Sequence, residues 1–296
     1  MTDASAEELL ADVRTLRHQA RRDRRASAFP LLLFGVLILL APLCYVPIEW
    51  PPFGENGVVF YTLYPGAFPL FNGVGSFSDV KYPNLISWYW FLAIVGGFAA
   101  TAWWYRRRAL RVGVETDTTA YLVAAGAALA GFVLGVPLLD ELVPARTALY
   151  STPAVNLPIL IGAAAAAAAV LFWCTRPRRG AIPRAGGLFA GVLLAMVAFS
   201  ALGVYLIYGF AALLVIAAGL LALAWLERNV LLGGIGVAFG AAALLANLAN
   251  LDNVLYRLGW TPDALQLLVF GQLLLPAAVL IAGAGVVALT GRSAAR

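Results

Sequence analysis

The charges of this 296-residue chain are bunched, and the gaps between them constrain its fold more than any motif does. Stretches free of Asp, Glu, Lys and Arg cover 26–48, 82–105, 118–139, 147–175, 185–226, 229–251 and 264–291. A helix crossing a hydrocarbon layer about 30 Å thick needs roughly 20 residues, so each stretch holds at least one. The fifth is too long for a single crossing: as one helix, 186–226 would run about 60 Å at a rise of 1.5 Å per residue. Two helices joined by a turn within "SALGVYLIYG" are expected instead. The expected fold is therefore all-α, a polytopic transmembrane helix bundle of eight spans near 30–46, 87–105, 120–139, 157–175, 186–204, 207–226, 230–250 and 264–289. Composition agrees, since only 12% of the residues are charged and 62% are hydrophobic, against about 25% charged in soluble domains.

An even number of spans leaves both termini on one side. With that side cytoplasmic, the inner segments hold seventeen arginines and the outer loops only Lys81, Arg146 and Arg257. Basic loops are retained in the cytoplasm, so the expectation is N-in/C-in, multi-pass, in the cell membrane. The net charge of +5 then reflects topology and attraction to anionic headgroups. The partner it implies is the lipid bilayer, with no nucleic acid. No small-residue cleavage pattern follows the first apolar segment, which is expected to remain as an anchor. Cys44 and Cys174 fall at opposite ends of their spans. A disulfide needs Cα atoms within about 7 Å, so the two are not expected to pair.

Two regions are expected. Residues 1–27 form a cytoplasmic Arg-rich amphipathic helix, with Ser5 and Glu8 at capping-box spacing and Leu9, Val13, Leu16 and Ala20 at helical intervals. That helix either lies on the bilayer surface or docks a cytoplasmic protein or a second copy of the chain. Residues 28–296 form the eight-span domain. Its one long outer loop, 47–86, is rich in Pro, Gly and aromatics and is expected to cap the outer face, with Trp50, Phe53, Tyr61, Tyr64, Trp88 and Trp90 near the interface. Gly131 and Gly135, Gly187 and Gly191, and Gly236 and Gly240 have the spacing that lets helix backbones approach closely in lipid. Pro276 is expected to kink the last span. No internal repeat supports an inverted-repeat transporter.

The chemistry is defined first by what is missing. His18 is the only histidine and precedes the first span, which excludes in-chain bis-histidine haem, His-dependent zinc sites and Ser-His-Asp catalysis within the bundle. No P-loop or nucleophile elbow is present, and all fifteen acids lie in the N-terminal helix, in loops or near span ends. No catalytic residue, metal ligand or cofactor is expected, and an enzyme would have only the outer acids Glu49, Glu55, Asp79, Asp140 and Glu141 to work with.

Polar residues gather instead in "LLANLANLDNVLYRLGW", 244–260. Read as one helix, Leu244, Leu248, Leu251, Leu255 and Leu258 make a packing seam, and Asn247, Asn250, Asn253 and Arg257 share a neighbouring edge. An uncompensated amide in hydrocarbon costs several kcal/mol, so that edge must meet protein, water or a ligand. With Gln266 and Gln272 it is a candidate outward-facing binding site; bonding between helices is the alternative. Glu227 and Arg228 are expected at a cytoplasmic interface. Thr261 and Pro262 suit the N-cap and first position of the last helix, with Asp263 in its first turn.

"RRDRRASAFPLLLFGVLILL", "WWYRRRALRVGVET" and "LAWLERNVLL", with the Asn-rich segment after them, resemble a family of actinobacterial polytopic integral membrane proteins. The resemblance implies the same membrane class and no established activity or catalytic residues. Two functions follow as expectations: non-enzymatic small-molecule binding, sensing or permeation through the outer pocket, or a membrane scaffold or signalling anchor acting through the cytoplasmic N-terminal helix.

Overall fold

The computed structural model describes residues 27–47, 80–112, 126, 130–131, 153–174, 181–203, 209–248 and 250–293. The expected N-terminal helix, the body of the 47–86 loop and most of the span expected at 120–139 lie outside them. The described chain is all-helical: α1 (Ala28–Leu40) with a 3-10 turn (Ala41–Cys44), α2 (Pro83–Val112), α3 (Pro153–Cys174), α4 (Ala181–Gly203), α5 (Ala211–Leu226), α6 (Val230–Asn247), α7 (Asn250–Arg257) and α8 (Leu265–Ser293). The division expected within 186–226 is present, between Gly203 and Ala211. Four helical segments are long and apolar enough to cross a membrane: Pro83–Arg108, Ala154–Cys174, Val230–Asn247 and Leu265–Thr290. Pro83 and Pro153 open their helices at the position where a missing N–H costs nothing. Inside them, hydroxyls fold back onto carbonyls four residues earlier, Thr101 onto Gly97 at 2.8 Å and Thr290 onto Val286 at 2.9 Å, which keeps a polar side chain satisfied among apolar neighbours.

The pairs α1 and α2, α3 and α4, and α5 and α6 run antiparallel and meet through glycine. Along α1, Phe29 stacks on Trp104, Phe34 fills the space beside Gly97, the Tyr89 hydroxyl donates to the Leu37 carbonyl, and Tyr45 meets Trp90, all on α2. Gly233, Gly236 and Gly240 of α6 face Ala224, Leu221 and Ala217 of α5. Gly187 and Gly191 of α4 face Cys174 and Leu171 of α3, and Gly131 lies against the Phe189 backbone of α4. Gly35 of α1 receives Ile281 of α8, and Gly283 of α8 receives Ile235 of α6. The small-residue spacing thus marks close approaches. Cys44 and Cys174 are free thiols. The core gathers Leu31, Phe34 and Ile38 with Trp90, Phe210, Phe239 and Leu280, whereas α3 keeps most of its surface exposed.

Three details depart from the sequence reading. The last helix begins at Leu265, with Leu267 and Leu268 donating to the Ala264 carbonyl, so Thr261 and Pro262 are not its N-cap and first residue and exposed Asp263 precedes it. The loop expected to end at 86 yields to α2 at Pro83, and Trp90, expected near the interface, is 1% exposed because it turns inward onto Tyr45. The segment 244–260 is also not one helix: α6 stops at Asn247, Leu248 adopts φ −98 and ψ 21, and α7 restarts at Asn250. The leucine seam is therefore broken, with Leu251 packed on the core and Leu244, Leu248 and Leu258 exposed.

Candidate functional site

Asn247 is the last residue of α6, and it turns inward. Its side chain is fully buried, and Nδ2 donates to the Ala243 carbonyl at 2.8 Å and to the Phe210 carbonyl, at the start of α5, at 3.2 Å. A side chain that competes for backbone carbonyls at a helix end favours termination there, which accounts for the break that the periodicity did not reveal. The Asn247 Oδ1 is buried with no hydrogen-bond partner among the described residues.

Gln272 of α8 is fully buried too, and neither its Oε1 nor its Nε2 has a partner among the described residues. Its level follows from the packing. Gly283 of α8 receives Ile235 of α6, while the far end of α6 leads into α7, whose Leu255 and following Trp260 pack on Gly271. The two helices are therefore antiparallel, which puts Gln272 toward the same end of the pair as Asn247.

An aromatic ladder adjoins Asn247. Phe210 lies 6.5 Å from Tyr45 ring to ring, and the Tyr45 hydroxyl accepts from the Trp90 indole at 3.4 Å. The feet of the 47–86 loop spring from that point: Lys81 N–H donates to the Val46 carbonyl at 2.9 Å, and Pro47 bridges Val80.

The other expected site residues separate from this pair. Asn253 and Arg257 are exposed on α7, Gln266 is half-buried as the second residue of α8, and the Asn250 side chain lies outside the described residues. The helix is interrupted after Asn247, and Asn247 is buried while Asn253 and Arg257 are exposed, so these three do not share one buried edge. Glu227 and Arg228 are exposed at the turn between α5 and α6. There Asn229 N–H reaches the Ala224 carbonyl and Arg228 N–H the Trp225 carbonyl, while Asn229 Oδ1 caps α6 by accepting from Leu232.

Further buried polar groups lay outside the sequence reading. Asn156 of α3 donates to the Ala201 carbonyl of α4 at 3.1 Å, leaving Oδ1 without a partner among the described residues, and the buried Trp104 indole N–H has none among them. A lone amide two residues before Pro158 was the available signal for the first; nothing in "WWYRRR" separates Trp104 from Trp103. Among the described residues no group of three or more His, Cys, Asp or Glu is placed to hold a metal ion. Compared with protein-family models, curated proteins and solved structures, the chain matches none.

Proposed function

We propose that this chain is a multi-pass cell-membrane protein of eight spans, both termini cytoplasmic, that binds, senses or passes a small molecule at an outward-facing polar site without catalysing a reaction. The observation that carries this reading is that Asn247 and Gln272 are both fully buried with side-chain atoms that have no hydrogen-bond partner among the described residues, on helices that pack against each other. A polar group buried without compensation costs about 1–3 kcal/mol by mutational measures and more in hydrocarbon. Residues kept there against that cost are explained by something that they bind. In the proposed orientation this end of the pair is in the outer third of the bundle, beneath the feet of the long loop. Glu227 and Arg228 then occupy a cytoplasmic turn, and the likeness to actinobacterial integral membrane proteins belongs with the same reading.

Cysteine accessibility tests it. With Cys44 and Cys174 changed to serine, Gln272→Cys and Asn247→Cys are expected to react with a membrane-impermeant thiosulfonate added to intact cells, more slowly than Gln266→Cys. Reaction at 266 with none at either buried position would leave the amides as bonds between helices and remove the pocket. Reaction only after permeabilisation would reverse the orientation.

A further inference from the structure

Pro276 has no N–H to return to the carbonyl four residues earlier, and that carbonyl belongs to Gln272. One residue of α8 thus carries a main-chain oxygen without its helical donor and a fully buried side-chain amide of which neither atom has a partner among the described residues. On α6, which packs against α8, the buried Oδ1 of Asn247 likewise has no partner among the described residues. Gly271, beside Gln272, lets Leu255 and Trp260 close over this side of α8.

The atoms specify what they take. Three oxygens accept and one amide nitrogen donates, so the complement must be rich in donors, and an anion is excluded. A hard cation gathers about six to eight oxygens, and three neutral ones cannot replace its hydration shell; the described charged side chains of Lys81, Arg257 and Asp263 at this end are exposed. An uncharged hydroxyl fits, because it donates one hydrogen and accepts another.

Resting on the ligand-handling reading above, we infer that the stretch of α8 at Gln272 and Pro276 is a binding site for the hydroxyl group of a small neutral molecule. The O–H donates to the Gln272 carbonyl, with Oε1 and the Asn247 Oδ1 open to further hydroxyls, and the hydroxyl oxygen accepts from Gln272 Nε2.

The probe is glycerol, titrated into the full chain in phosphatidylcholine nanodiscs while unfolding is followed by heating, with sucrose as the control for general solute exclusion. The wild type is expected to show a saturable rise in Tm with glycerol on top of the linear rise that sucrose also gives. In Gln272→Met the saturable part disappears. In Pro276→Ala, which restores the N–H and keeps the helix, its midpoint moves several-fold higher in glycerol. A Gln272→Met chain that melts higher than wild type without any polyol would show that the amide was merely uncompensated, and both this assignment and the pocket would fall. A Met variant that melts lower, with the same linear glycerol response in all three chains, would leave the pocket standing and overturn the hydroxyl assignment.

Discussion

Gly96 and Gly97 are neighbours on α2 and answer to different forces. A β-carbon built on Gly97 would stand 2.5 Å from the Phe34 ring, whereas one on Gly96 would meet nothing within 4 Å. Overpacking a tight contact costs about 1–3 kcal/mol, while replacing an exposed helical glycine by alanine gains up to about 1 kcal/mol. Gly97→Ala is therefore expected to destabilise the protein and Gly96→Ala to leave it equal or firmer, as read by thermal unfolding of both variants in one detergent. Equal effects would mean that α1 and α2 are not pressed together along Phe34. The same reasoning marks what the sequence could reveal at this scale: it showed that glycines were numerous, but only the neighbour across the helix pair distinguishes one that is required from one that is not.

Helix ends show the contrast at the next scale. The turns after α5 and α7 share one hydrogen-bonding pattern, Asn229 to Ala224 with Arg228 to Trp225, and Trp260 to Leu255 with Gly259 to Tyr256. That pattern places its penultimate residue in the left-handed region, where Gly259 has φ 80 and Arg228 has φ 51. A non-glycine residue there costs roughly 1–2 kcal/mol. Arg228→Gly is expected to stabilise the protein by about 1 kcal/mol, and Gly259→Ala, with nothing within 4 Å to clash, to destabilise it by about 1–2 kcal/mol through backbone strain alone. Chemical unfolding of the two variants checks both signs. An arginine retained where glycine would relax the turn fits a need for charge, because Arg228 is the only basic residue between Arg184 and Arg257. The helices themselves were legible because uncharged runs of this length leave little choice of structure. The break at Asn247 was not, because a helical wheel assumes continuity and the cause is a bond to Phe210, 37 residues away. Asn247, Gln272, Asn253 and Arg257 were grouped because their polarity was visible; that the first two are buried and the other two exposed was not.

For the whole molecule, the direction of travel decides the topology. Side chains such as Leu92, Ile161, Phe172, Val237 and Leu289 are at least 60% exposed, a surface that lipid can cover and water does not favour. The arginines at 106–108 sit at the end of α2, and those at 176, 178, 179 and 184 follow the end of α3. In the proposed topology these basic segments stay in the cytoplasm, so α2 and α3 would both run inward and the chain between them would cross once more to bring α3 back to the outer side. The apolar run at 118–139 is long enough to do so, and Gly131 within it lies against the Phe189 backbone of α4. In a chain with Cys44 and Cys174 changed to serine, Ala145→Cys is expected to react with an impermeant maleimide on intact cells, and Gly113→Cys only after the membrane is opened. Protection of both positions would mean that 118–139 does not cross. Every helix from α3 onward would then run the opposite way, and the Asn247 and Gln272 end would face the cytoplasm.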